Sequence, residues 1–195
     1  MGRGSSDLGG RTSTGDEINK DRARWNERYR RREPSFEPAN LLVEHADLLG
    51  GGRALDLACG TGGNAFFLAR RGYRVDAVDI SEVGLEIAQA EARRRGLSIN
   101  WVQAAAEHLP LCGPAYDCIV VFRFLVRPVM YGLQRLLKPR GLLFYESFNI
   151  RRLETHPDFN PVYLVQMGEF PKWFEALETI LASDSGDVSS FIGRR

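Results

Sequence analysis

The strongest constraint on how this chain folds is the stretch Arg53 to Gly63, RALDLACGTGG. An apolar run from Ala54 to Ala58 stops in Gly60, Gly62 and Gly63, and an apolar segment suited to a helix, Asn64 to Arg70, follows at once. That order reads as a buried strand, a tight turn and a helix, the unit from which parallel sheets with covering helices are built. Glycine in the turn permits positive φ and close approach of a ligand to the backbone. The unpaired N–H groups of the helix start are expected to face whatever is bound there. Asp56 is the anomaly, a carboxylate set inside an apolar strand.

From this unit onward, strand and helix patterns alternate. Strands are expected at Arg53–Ala58, Tyr73–Ile80, Ser98–Ala104, Ala115–Phe122 and Leu142–Phe148. Between them lie helices at Gly63–Arg71, from a Ser81 cap to Arg95 before Gly96, and at Val129–Leu137 before the turn Lys138–Gly141. Such alternation gives an α/β fold, a parallel sheet with helices on both faces. The end differs: Glu178–Ser183 and Val188–Gly193 flank Asp184-Ser185-Gly186-Asp187, a hairpin signal. A parallel sheet that finishes in an antiparallel hairpin is the expectation.

Ahead of the sheet, residues 1–15 hold glycine, serine and threonine and read as a flexible tail. Residues 16–195 then form a single domain, within which residues 16–50 make an N-terminal helical lid. In the helix Asp16–Arg32, Trp25 and Tyr29 share one face. Its arginines are either a solvated face or part of a mobile lid pressing those two rings on a ligand. Pro38 is placed to open a second helix that runs to Leu48.

Composition narrows the partners. The formal net charge of +1 offers no bulk positive surface for duplex nucleic acid. No apolar run approaches the roughly 18–20 residues of a membrane span, and residues 1–15 lack the hydrophobic centre of a secretion signal. Cys59, Cys112 and Cys118 show no paired spacing, so they read as reduced, small core residues of a cytoplasmic protein. The three histidines stand far apart, and no metal site is expected.

In sheets of this kind ligands bind beyond the carboxyl ends of the strands. The second strand ends in Asp79, a carboxylate able to accept both hydroxyls of a ribose, slightly nearer the glycines than the roughly 20 residues usual in dinucleotide folds. Gly60, Gly62 and Ala65 even satisfy the loose G-x-G-x-x-A pattern, which keeps an NAD-dependent oxidoreductase as an alternative. Asp56 argues against it: a carboxylate near the turn would repel a pyrophosphate and attract a cationic cofactor.

Five segments in order carry a resemblance: LDLACGTGG, VDIS, AAAEHLP, YDCIVVF and LKPRGLLFYESF. With them the chain, from about residue 20 to residue 195, resembles the class I S-adenosylmethionine-dependent methyltransferases. RARWNERYR at the front and FYESFN with the later MGEF look most like the small bacterial tellurite-resistance type. The resemblance implies a Rossmann-like sandwich with a seven-stranded, mostly parallel sheet of order 3-2-1-4-5-7-6, the seventh strand antiparallel. It implies S-adenosyl-L-methionine as cofactor, with Ala58, Cys59, Gly60 and Gly62 under the methionine and ribose. Asp79 would take the ribose hydroxyls, Ile80 would pack on the adenine, and Phe122 and Arg123 would line the methyl-donor side. Trp25, Asp56, Ala106 and Glu107 complete the expected cofactor set. Ala105 stands where the family often has aspartate, which leaves the adenine edge to backbone groups, Gln103 or Glu107.

The implied activity is methyl transfer to a small-molecule acceptor, an in-line displacement that requires no metal. Positioning alone removes roughly 7–11 kcal/mol of barrier where the geometry is good. A general base is needed only for a nucleophile that arrives protonated; His108, Glu146 and His156 are candidates. Arg123 and Arg127 either hold an anionic acceptor in bidentate fashion or pair with Glu146 or Asp117. The irregular segment Ile150–Gly168 is expected to wall the acceptor site, with Phe148, Phe159, Tyr163 and Phe170 lining a pocket or packing the segment down. A non-catalytic cofactor-binding module on the same fold is the alternative from another class.

Overall fold

The computed structural model describes residues 15–109 and 113–195. The expected tail, apart from Gly15, and Cys112 lie outside the described residues. A two-layer cover of helices encloses one sheet. Its strands are β1 (Gly52–Leu57), β2 (Tyr73–Asp79), β3 (Asn100–Gln103), β4 (Tyr116–Phe122), β5 (Leu137–Phe148), β6 (Glu178–Ser185) and β7 (Val188–Arg194). The helices are α1 (Gly15–Arg31), α2 (Asn40–Glu44), α3 (Gly63–Arg70), α4 (Glu82–Arg95), α5 (Arg127–Leu136), α6 (Arg152–Thr155) and α7 (Glu169–Trp173). The strand order is β3-β2-β1-β4-β5-β7-β6, as expected from the resemblance. β1 pairs in parallel with β2 and β4, and β7 runs antiparallel to β5 and β6.

Burial alternates along the strands as the pleat requires. Leu55, Leu57, Ile119, Val121, Leu143 and Tyr145 face the layer of α5 and α7. Ala54, Cys118, Val120 and Phe144 face the layer of Leu41, Leu42, Ala65 and Leu68. Asp56, on the same strand face as Ala54, is therefore driven into the second layer beneath α3. The Ser81 hydroxyl caps α4 by accepting the Gly84 N–H at 3.1 Å, and Gly96 ends it at φ +66°.

Several boundaries differ from the sequence expectation. β3 is shorter than Ser98–Ala104. Pro38 precedes the second helix rather than opening it: Ala39 is the cap, and its N–H donates to Asn64 Oδ1 at 2.8 Å. The turn Lys138–Gly141 belongs to β5 as a bulge, the register jumping from Tyr116–Leu137 to Cys118–Leu142. Arg140 on that bulge has φ +67°, a strained value for a side chain with a Cβ.

Candidate functional site

A cleft of about 370 Å³ opens at the carboxyl ends of β1, β2 and β4, roofed by α1. The sequence-predicted residues Trp25, Ala58, Asp79 and Ile80 line it, as do Ala105, Ala106, Glu107, Phe122 and Arg123. Asp79 is the best fixed of them. Its Oδ1 accepts the Ser81 N–H and its Oδ2 accepts the Gly60 N–H, each at 2.8 Å. Burial pushes this carboxyl up, against the pull of the Ser81, Gly60 and Ile80 N–H groups.

Asp56, Cys59, Gly60 and Gly62 are buried beside the cleft and are not among the residues that line it. Gly60 gives its N–H to Asp79, and a Cβ there would sit 2.7 Å from the Tyr29 hydroxyl. Gly62 (φ +88°) faces Trp101 and Phe66, where a Cβ would come within 2.8–2.9 Å of their rings. The start of α3 is covered as well: a Cβ on Gly63 would collide with the Glu37 carbonyl, and Thr61 Oγ1 donates to the Ser35 carbonyl at 2.6 Å. The start of α3 thus packs against residues 35–37 of its own chain.

Asp56 is 1% exposed, and its Oδ2 has no hydrogen-bond partner among the described residues. Burial, and then the Asp79 charge, push it up to about 8, against the Ala65 N–H. The carboxyl is mostly protonated at neutral pH, so its field alone does not select a cationic ligand. Burial and the same carboxylates also raise the Tyr29 phenol and the Cys59 thiol. Tyr29 consequently stays a hydrogen-bond donor at ordinary pH.

The candidate bases fare differently. Glu146 is occupied: it pairs with Arg123 at 3.1 Å and accepts from Ser190 Oγ at 3.0 Å. Arg123, at φ +56°, lies over the Phe148 ring. Arg127 pairs with neither Glu146 nor Asp117; it binds Glu169 and the carbonyls of Val162 and Leu164. His108 and His156 are exposed, and neither lines the cleft. Segment 150–168 supplies no lining residue either, because Arg127 and the Asn149–Val165 bridge hold it beside β5. Phe148 packs on Phe159, Phe170 joins Tyr145 and Phe174 in the core, and Tyr163 reaches Arg24 of α1. Gln103 donates to Glu82 and does not line the cleft, whereas Glu107 does.

The lid brought Tyr29, named from the sequence, and with it Arg28, Arg32 and Asn26, which the sequence did not single out. Arg28, Tyr29 and Arg32 line the cleft, and Asn26 anchors α1 to the start of α4.

Residues 54–141 match a methyltransferase domain family. Over that stretch, from β1 to the bulge of β5, the chain is similar to methyltransferases. It is 30% identical over 114 residues to the ubiquinone biosynthesis O-methyltransferase of Erwinia tasmaniensis, covering 55% of this chain and 47% of that protein. The chain spans about half the length of the curated relatives it matches first. In fold it is similar to TehB from Haemophilus influenzae, with TM-score 0.72 and 14% identity over 88% of this chain and 67% of that one. A methyltransferase from Clostridium acetobutylicum gives TM-score 0.67 and 14% identity over 90% and 98%. The family's cofactor is S-adenosyl-L-methionine. The residues of the cleft fit it: Asp79 lines the cleft with both oxygens oriented by backbone N–H groups, and Ile80 and Phe122 offer apolar walls.

Proposed function

We propose that this chain binds S-adenosylmethionine in the cleft under α1 and catalyses transfer of its methyl group to a small-molecule acceptor by in-line displacement. Residues 16–195 act as one domain in this reading, and residues 16–50 act as the lid. The observation that carries it is the Asp79 carboxylate, fixed by two backbone N–H groups at the end of β2 and facing a cleft sized for a small molecule. When bound, the cofactor supplies an electrophilic methyl group on a positively charged sulfur. Asp79 orients the ribose, Trp25 and Tyr29 exclude water from above, and Phe122 walls the path of the acceptor. The displacement itself calls for no metal.

An oxygen nucleophile is favoured by the O-methyltransferase relative. An anionic group in the cleft is favoured by Arg28 and Arg32, not by Arg123 and Arg127, which are already paired. Among the described residues neither Arg28 nor Arg32 has an ion pair, whereas Arg24 pairs with Asp21, and Arg30 and Arg31 pair with Glu27. Burial and the charges of Arg32 and Arg24 lower Arg28, a strain that an entering carboxylate or oxyanion relieves. We place the protein in the cytoplasm, in keeping with the buried free thiols of Cys59 and Cys118.

The test is transfer of radiolabelled methyl from S-adenosylmethionine across a panel of phenols, carboxylates and oxyanions. Turnover of at least one acceptor, with a raised KM for the cofactor in Asp79→Ala, is expected. Cofactor binding without turnover of any acceptor would leave a binding module and defeat the enzyme reading.

A further inference from the structure

α1 is polar along its length, yet it has one buried residue, and that residue is Asn26. Both atoms of its amide are engaged. Nδ2 donates to Glu82 Oε1 at 2.6 Å, and Oδ1 accepts from the Ser81 hydroxyl at 2.6 Å. That hydroxyl accepts the Gly84 N–H that begins α4, while the Ser81 N–H holds Asp79 Oδ1. The other oxygen of Glu82 accepts from Gln103 at the end of β3, at 3.1 Å. One amide on the lid therefore reaches the loop that orients Asp79 and, through Glu82, the strand end that leads to Ala105 and Ala106.

An amide suits this position because it donates on one side and accepts on the other. A carboxylate would face Glu82 with like charge. An apolar side chain would strip the Ser81 hydroxyl and Glu82 of a buried partner. One residue before Asn26, Trp25 lines the cleft; three after it, Tyr29 lies on two glycines. A Cβ on Gly84 would come 3.0 Å from the Tyr29 ring, and one on Gly60 would come 2.7 Å from its hydroxyl. Both glycines leave room for the helix to descend, and Asn26 fixes where along its axis it lands.

We propose that Asn26 is a positioning residue that makes docking of the α1 lid and binding of the cofactor a single coupled equilibrium. The proposal rests on reading the cleft as the S-adenosylmethionine site. A ligand held between Asp79 below and Trp25 above favours the docked helix, and whatever favours docking must raise ligand affinity by the same factor. Asn26 transmits this coupling because it bonds to the very residue whose N–H orients Asp79.

The experiment uses the full chain, with S-adenosylhomocysteine as probe, calorimetry for affinity and trypsin to report opening. Arg22, Arg24 and Arg28 give cleavage sites in α1, and Arg93 and Arg94 give a reference in α4. Cleavage under native conditions follows the open population of each segment. In the wild type, the probe should slow α1 cleavage selectively. Asn26→Ala should weaken probe binding by about ten-fold or more, the scale of a lost buried hydrogen-bond pair, and should speed α1 cleavage while leaving α4 unchanged. Asn26→Asp should be worse than Asn26→Ala, because its charge faces Glu82. Binding within two-fold of wild type in both variants overturns the proposal. So does equal acceleration of α1 and α4 cleavage, which is the mark of a merely structural residue. If the wild type itself fails to bind the probe, the methyltransferase reading falls before any substitution is made, and this proposal falls with it.

Discussion

Replacing Asp56 by asparagine should change how the ligand-free protein responds to pH. Asp56 is fully buried, and its carboxyl is raised from 3.8 in the unfolded chain to about 8 in the fold. For an acid raised by folding, the stabilisation is complete below the unfolded value and is lost as pH climbs through the folded one. Each unit within that window is worth about 1.4 kcal/mol. Between pH 5 and pH 8 the wild type should lose about 4 kcal/mol from this group, an order-of-magnitude figure shared in part with Asp79. Asparagine has the same shape and does not titrate. It too leaves a polar atom unpaired at the place of Oδ2, so at pH 5 the two proteins should differ by no more than about 1–2 kcal/mol. The assay is urea denaturation at pH 5, 6.5 and 8. Asp56→Asn should gain steadily on the wild type and exceed it at pH 8. Parallel stability profiles across this range would refute the reasoning, because they would mean that Asp56 does not change protonation there.

Three further outcomes follow from the site. Asp79→Ala should weaken S-adenosylhomocysteine binding by about 1.5–3 kcal/mol in calorimetry, the scale of hydrogen bonds to a charged group. Arg28→Gln with Arg32→Gln should reveal which carboxylate the lid reads. A loss of about ten-fold for S-adenosylhomocysteine, but none for methylthioadenosine, which lacks the amino-acid moiety, assigns them to the cofactor. Equal affinity for both nucleosides together with a raised KM for an anionic acceptor assigns them to the acceptor. Arg140→Gly should leave activity intact and raise stability by up to about 1 kcal/mol in thermal melts, since glycine removes the strain at φ +67°.

The sheet was legible because its signals are local. A strand ending in glycines, a capping Ser81 and a hairpin turn each declare themselves within a few residues, and β1 lies inside the sheet, between β2 and β4, as its apolar run suggests. Asp79 was legible for the same reason, as an acid closing an apolar strand. What escaped the sequence depends on partners far along the chain. Nothing local separates Asn26 from Asn19: one is buried against Ser81 and Glu82, and the other sits exposed beside Arg22. The glycine pattern alone does not reveal that the missing Cβ of Gly62 makes room for Trp101 and Phe66. The sequence left Arg123 between an anionic acceptor and a pair with Glu146 or Asp117; the choice of Glu146 follows from the register that sets Phe122 against it, information that belongs to the sheet and not to either strand. Segment 150–168 looked like a substrate wall because irregular loops often are. Its tether is Arg127, and the arginine's choice among several carboxylates is settled by packing.

The central claim is that the cleft between α1 and the ends of β1, β2 and β4 holds S-adenosylmethionine. Calorimetric titration of the full chain with S-adenosylhomocysteine, run beside Asp79→Ala, tests it most directly. The account predicts one equivalent bound by the wild type and a clear loss of affinity in the variant. No binding by the wild type at millimolar ligand, or the same affinity in both proteins, would contradict it.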